Sequence, residues 1–347
     1  MKKTAGAPRE YAAAGVDLET AKAAKARISD LVAGTRTALS TGQVGAFGGM
    51  VRIPAGMRRP TLVLSTDGVG TKVLVALQAG RFDTVGEDLV NHSVNDILVH
   101  GATPIAFMDY IAGSELGVEQ IAQIVEGIAR GCRAHGMALA GGETAQMPGL
   151  YQPGTYDLAG TIIGVVEEDR ALHGDAIAPG DVLLGYASTG LHTNGYTLAR
   201  RIVFQQMGLD LADPLGDTGQ TVAQALLAVH RSYYRSVVPV LDRIHGLAHI
   251  TGGGIGGNLV RILPAESQAT VDPDSWELPS LFTTLQQAGR VSTGEMRDVF
   301  NLGVGLIAVL PPDAVAAAQS AATADGVPTW VMGEIHRGSR SVCFARP

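Results

Sequence analysis

The sequence predicts an α/β (α+β) protein of two domains, and three observations carry that prediction. Strand-like and helix-like stretches alternate along the chain. Glycine-rich loops stand at the junctions between them. At 347 residues the chain is longer than one hydrophobic core usually covers. Hydrophobic residues make up 46% and charged residues 17%, a balance that favours compact domains over long disorder.

Taken in order, residues 1–60 carry a helical pattern from Leu18 to Leu39 and then "GQVGAFGGMVRIP". Gly42, Gly45, Gly48 and Gly49 make that stretch a flexible loop unless a ligand or partner orders it. Residues 61–170 form an N-terminal domain. It opens with a strand over 61–66, a "TDGVGTK" loop and a short helix. A helix over 84–100 buries Leu89, Val90, Val94, Ile97 and Leu98 and stops at Gly101. Next come strand "TPIAFMDYIAG", an amphipathic helix Val118 to His135, a short strand running into the loop "GGETAQMPG", and the long strand "YDLAGTIIGVVEE". The linker is "HGDAIAPGD", and residues 171–347 form a C-terminal α/β domain. Its elements are strand "VLLGYAS", loop "TGLHTNG", helix "YTLARRIVFQQMG", a helix around Val222–Ile244, the glycine run "HITGGGIGGN", strand "FNLGVGLIAVLP" and helix Ala314–Ala324.

Composition narrows the function. A net charge of -7 and a pI near 5.7 argue against duplex nucleic acid or an anionic membrane as main partner. Cys132 and Cys343 form no CxxC pair, which fits a reduced compartment. "MKKTAGAPREYAAAG" has no apolar stretch behind its lysines, and no later stretch is apolar for long enough to span a bilayer. A cytoplasmic enzyme without a membrane partner is expected.

Two familiar phosphate motifs do not fit. "DGVGTK" has Thr71 before its lysine and no glycine at the earlier position a Walker A loop requires. "GGGIGG" satisfies G-x-G-x-x-G through Gly252, Gly254 and Gly257, but Pro264 follows too soon for the helix that would hold a pyrophosphate.

A different constellation is more informative. Asp67 leaves a strand end, Asn95 and Asp96 sit on a helix, and Gly141, Gly142, Glu143 and Thr144 leave another strand end. Three carboxylates with no histidine or cysteine cluster accompanying them are expected to be hard oxygen ligands of the kind Mg2+ takes alongside substrate phosphates. On that reading Lys72 is a mobile cation for phosphate oxygens, and the Gly68 and Gly70 amides approach the same oxygens. Taken singly, each acid reads equally as a helix cap or turn residue. Asp88, His92 and Asp96 recur every four residues on helix 84–100 beside Asn91 and Asn95, a stripe of short polar side chains that suggests a lined site. His92 itself reads as a satisfied, partly buried histidine. In the second half Ser188, Thr189, His192, Thr193 and Asn194 occupy a strand-to-helix turn, read either as a phosphate site or as an ordinary N-cap. His249, Thr251, Gly252, Gly253 and Gly254 mark close backbone approach.

Together these motifs resemble the phosphoribosylformylglycinamidine cyclo-ligase family, also called aminoimidazole ribonucleotide synthetase. The resemblance runs in order through "YAAAGVD", "GAFGGM", "TDGVGTK", "VNDILVHGATPIAFMDYIA", "GGETAQMPG", "YDLAG", "STGLHTNGY", "HITGGG" and "FNLGVG", nearly the whole chain. It implies ATP-dependent closure of formylglycinamidine ribonucleotide to the imidazole, in a homodimer that pairs its N-terminal sheets. ATP would lie near the dimer interface and the C-terminal domain would close the substrate cleft. Asp67, Asp96 and Glu143 would hold Mg2+ and phosphates. Gly68, Gly70, Thr71, Lys72, Asn95, Gly141, Gly142 and Thr144 would surround the nucleotide. Gly45, Phe47, Gly48 and Gly49 would fold over its phosphates. Ser188, Thr189, His192 and Asn194, with Thr251, Gly252, Gly253 and Gly254, would face the substrate. Lys72 would serve phosphoryl transfer, and His192 and His249 the protons of ring closure.

The chain departs from the family pattern at Asn91-His92-Ser93, where small or apolar residues with a cysteine are usual, at Gln146, where an acid is usual, and at Ile255-Gly256-Gly257. Two other readings stand beside this one. A related small-molecule kinase would leave a lasting phosphorylated product, and a silent nucleotide-binding scaffold would bind ATP without hydrolysing it in the presence of substrate.

Overall fold

The computed structural model describes residues 27–43 and 45–345. Of the helical pattern expected from Leu18 to Leu39, residues 27–33 form a helix, and the part before residue 27 lies outside the described residues, as does "YAAAGVD".

Two sheets organise the chain. The first is built from β1 (Pro60–Gly68), β2 (Thr103–Gly113), β3 (Ala138–Gln146) and β4 (Tyr156–Glu167) in the order β1-β4-β2-β3. The pairing is antiparallel except between β2 and β3. In this register Asp67 lies beside Gly160, Gly160 beside Asp109, and Asp109 beside Gly142. One face carries Phe107, Ile111, Leu158 and Ile162 into a core against helices Asp83–Leu98 and Val118–Ala134. The opposite face leaves Leu62, Leu64, Met108 and Tyr110 exposed, Leu64 by 62%.

The two helices approach almost backbone to backbone. A Cβ on Gly127 would lie 2.0 Å from the Asp83 carbonyl oxygen, and one on Gly86 2.1 Å from that of Ile124. Gly127→Ala is therefore expected to lower stability by about 1–3 kcal/mol through overpacking, measured by denaturant unfolding. An unchanged midpoint would show that the crossing relaxes freely.

Residues 168–181 connect to the second sheet. That sheet comprises β5 (Val182–Ala187), β6 (Gly246–His249), β7 (Ser267–Val271), β8 (Val304–Leu310), β9 (Thr329–Arg337) and β10 (Ser341–Phe344), ordered β10-β7-β9-β5-β8-β6. β8 is buried at every residue, as the run "VGLIAVL" requires. Among the described residues no helix is long and apolar enough to cross a membrane.

Three expectations need correction. Residues 141–144 do not leave a strand end, because β3 runs unbroken through them as the edge strand. The helix expected over Val222–Ile244 is broken into Val222–Leu226, Tyr234–Val237 and a 3-10 turn beginning at Val238. The cause is tertiary: side chains of helix Asp83–Leu98 take over the backbone of 230–233. Asp88 Oδ1 accepts from the His230 N–H at 2.6 Å, and Asn91 Nδ2 donates to His230 O at 2.8 Å. Asn95 donates to Arg231 O at 2.8 Å and accepts from the Tyr233 N–H at 2.9 Å. Thirdly, β7, β9, β10 and helices Ser280–Gly289 and Thr293–Val299 extend the C-terminal domain beyond what the sequence pattern indicated.

Candidate active site

The polar stripe predicted on helix Asp83–Leu98 faces the C-terminal domain and is largely buried. At its start, Lys72 Nζ lies 2.7 Å from Asp88 Oδ2, with both side chains fully buried. The ammonium also donates to the carbonyl oxygens of Ala228 at 2.7 Å and His192 at 3.2 Å. Burial pulls the lysine pKa down while Asp88 supports the charge, and burial raises Asp88 to about 6 against the opposing effect of Lys72. This corrects the expectation of a mobile phosphate cation. Lys72 holds the opening loop to residues 192 and 228 of the second domain.

One turn further along, His92 Nε2 contacts Asp67 Oδ2 at 2.7 Å and Asp96 Oδ2 at 3.5 Å, while Nδ1 meets Thr193 Oγ1 at 2.9 Å. Burial alone would lower its pKa, but the two carboxylates outweigh it and lift the imidazole to about 9. Asp96 Oδ1 also contacts His249 Nδ1 at 2.8 Å, and Asp96 Oδ2 accepts from the Ser65 hydroxyl at 3.0 Å. Desolvation would raise this carboxyl, yet His249 and His92 hold it far below the usual carboxylate range. Asp67 is lowered too, by His92 against burial. His92 is thus the satisfied, buried histidine that the sequence suggested.

His192 was expected against the substrate and is instead buried. It adopts a left-handed φ of 60° and stacks on His230, ring centres 3.9 Å apart at 22°. Burial drives the pKa of both well below the ordinary value. Ser188 donates to Gly190 O, Thr189 to Val229 O, and Asn194 Nδ2 is buried without a partner. Thr71 Oγ1 lies 3.3 Å from Thr197 Oγ1 across the domains. Thr251 and His249 line a cleft of about 420 Å³, which Asp67, His92 and Asp96 also line. Gly252 and Gly253 follow Thr251, and Gly254 opens a helix of six residues, which bears out the objection to a dinucleotide motif there. The cleft adds Arg261 and His173, which sequence reasoning did not single out. His230 was missed as well; a lone histidine in "LLAVHRSYY" carries no spacing signal.

The remaining expected residues stand elsewhere. Gly141, Gly142, Glu143 and Thr144 lie on β3, three strand spacings from β1, or about 14 Å across the sheet. The glycine loop lies on that same side: a Cβ at Gly49 would sit 2.4 Å from the Ala140 carbonyl oxygen, and Phe47 projects fully exposed. Within one chain, then, Asp67 and Asp96 meet, and Glu143 does not join them.

Comparison with known proteins bears on this arrangement. Residues 45–166 match the family described as AIR synthase related protein, N-terminal domain, and 178–345 its C-terminal domain. The phosphoribosylformylglycinamidine cyclo-ligase of Sorangium cellulosum strain So ce56 is 47% identical over 329 residues, 94% of either chain. This chain belongs to the phosphoribosylformylglycinamidine cyclo-ligase family. The family's two-domain fold is shared more widely. Thiamine-monophosphate kinase from Stenotrophomonas maltophilia K279a superposes with a TM-score of 0.70 at 20% identity, covering 92% of this chain and 95% of the kinase. The hydrogenase maturation protein HypE in complex with ATP superposes with 0.63 at 18% identity, covering 90% and 88%. Set on the cyclo-ligase fold, the unusual His92 lies at the centre of the carboxylate cluster, between Asp67 and Asp96.

Proposed function

We infer that this protein is a cytoplasmic cyclo-ligase that converts formylglycinamidine ribonucleotide and ATP to 5-aminoimidazole ribonucleotide, ADP and phosphate. The observation that carries the reading is 47% identity with a named cyclo-ligase over 94% of the chain, together with Asp67, Asp96 and His249 meeting in one cleft. An amide oxygen is a poor leaving group, so the γ-phosphoryl group goes first to the formyl oxygen. The amidine nitrogen then attacks the activated carbon, the C–O bond breaks, phosphate departs and the nitrogen loses its proton. Asp67 and Asp96 offer the oxygen donors that Mg2+ prefers, and the ion would supply neutralisation of phosphate charge there. Positioning comes from the chain itself: Asp96 fixes the His249 ring through Nδ1, so that Nε2 can take a proton. Arg261 is a cation on the cleft wall suited to a ribose phosphate.

A homodimer would complete the site. The exposed apolar face of the first sheet suits burial against a second copy, and two-fold pairing would carry the β3 edge and glycine loop of one copy towards β1 of the other. Leu64→Glu is expected to give a monomer by light scattering with loss of turnover. A dimeric, active variant would overturn this placement.

The function itself is tested by following ADP and aminoimidazole ribonucleotide in one reaction. Equal yields support ring closure. A phosphorylated ribonucleotide that accumulates would indicate a kinase, and ATP binding without either product would indicate a scaffold.

A further inference from the structure

The cluster around Thr193 holds more nitrogen than phosphoryl transfer requires. His92 comes from the first domain, while His230 and His249 come from the second, and all three are buried. One ring nitrogen of each lies within 4.8 Å of one from both others. We propose that His92, His230 and His249 form a binding site for a single divalent transition metal of the zinc class, bridging the two domains.

The ring geometry carries this. Zn–N bonds of about 2.0–2.1 Å put an imidazole centre about 3.2 Å from the ion, so two rings at the tetrahedral angle have centres about 5.2 Å apart. The observed separations are 5.2 Å for His92 and His230, 5.0 Å for His92 and His249, and 5.2 Å for His230 and His249. All three edges of the triangle match.

The outer contacts agree. Thr193 Oγ1 can accept from Nδ1–H of both His92, at 2.9 Å, and His230, at 3.3 Å. Asp96 Oδ1 accepts from Nδ1–H of His249 at 2.8 Å. Each ring is thereby oriented by an oxygen on Nδ1, the outer arrangement usual for metal-binding histidines, so that Nε2 would be the donor atom, an ion at His230 replacing the 3.2 Å contact of its Nε2 with Asn95 Nδ2. The Nε2 atoms of His230 and His249 then face each other at 3.1 Å, where two lone pairs repel unless a proton or a cation lies between them. His192, stacked on His230, fixes the plane of that ring. Asp67 Oδ2, 2.7 Å from His92 Nε2, is the nearest carboxylate for a fourth position, and the cleft past Asp67 gives an entry path. Nitrogen donors in this number select zinc, cobalt or nickel over magnesium, so the site differs in chemistry from an oxygen-donor nucleotide site. An ion here would draw Asp67 away from the nucleotide and tie the domains together.

The test uses full-length protein stripped with chelator and titrated with Co2+ in the absence of ATP. One equivalent should give the intense visible bands of four-coordinate cobalt, and Zn2+ should displace them. His230→Ala keeps the backbone bonds to Asp88 and Asn91 and is expected to fold, as circular dichroism will verify, yet to lose those bands. His245→Ala, whose ring pairs with Asp181 outside the cluster, should retain them. Asp96→Asn, which removes the charge from the partner of His249 Nδ1 and from beside His92, should weaken cobalt affinity by about 10–100-fold. Wild-type protein without four-coordinate bands, or His230→Ala with unchanged bands, would overturn the proposal whatever the outcome of the cyclisation assay.

Discussion

Asp88→Leu is expected to lower stability by about 3–5 kcal/mol, the penalty of leaving a buried charge without its partner. Lys72 and Asp88 are both fully buried at 2.7 Å, and the lysine's other contacts are two carbonyl oxygens, which solvate an ammonium without neutralising it. Asp88 Oδ1 also accepts the His230 N–H, so the same substitution frees the segment that carries His230 against the helix. Lys72→Met alone should cost a similar amount. The double variant Lys72→Met/Asp88→Leu should recover much of the loss, because a hydrophobic pair of similar volume avoids desolvating two charges. Urea unfolding of the four proteins measures the coupling, and strict additivity of the single changes would show that the pair is not a unit. The pH dependence has a definite sign. Burial raises Asp88 from its ordinary 3.8 to about 6, so the native state binds its proton more readily than the unfolded chain. That contribution destabilises at neutral pH and fades as pH falls through 6 towards 3.8.

How far the site could be read from sequence follows from which interactions are local. Asp88, His92 and Asp96 share a helix face by periodicity alone, and the structure keeps them there. What periodicity could not supply was the opposing surface. Residues 222–244 carry helix-like spacing, but Asp88, Asn91 and Asn95 offer the 230–233 backbone better-placed partners than its own helix would, and tertiary bonding wins. "AGGET" looked like a loop because glycine is rare inside strands, yet Gly142 is needed where Asp109 presses in: a Cβ there would lie 2.2 Å from Asp109 Oδ1. Lys72 was read from its loop position as a mobile cation for phosphate oxygens, and only the packing reveals Asp88 behind it. The separation of Glu143 from Asp67 is a fact of strand order, which no motif spacing encodes.

Asp96→Asn should reduce kcat/KM for ring closure on the order of 10²–10³-fold, comparable to removing a preorganised electrostatic group from a reacting centre. The expectation rests on Asp96 serving two histidines at once, His249 through Oδ1 and His92 through Oδ2. Asparagine keeps the size but removes the charge, and its Nδ2 cannot accept from either ring. If Asp96 acts by orienting His249, the loss in Asp96→Asn/His249→Ala will be little more than in His249→Ala alone, because residues acting as a unit are not additive. Full additivity would assign Asp96 a separate role at the phosphates. A second readout is independent of turnover. The His92 pKa is raised from 6.5 to about 9, so its pairing stabilises the fold fully below 6.5 and is lost as pH climbs through 9. With one of its two carboxylates gone, His92 should titrate lower. The fall in stability between pH 6.5 and 9 should then shrink, and a His92 titration by NMR that stays in place would show that Asp67 alone holds the charge.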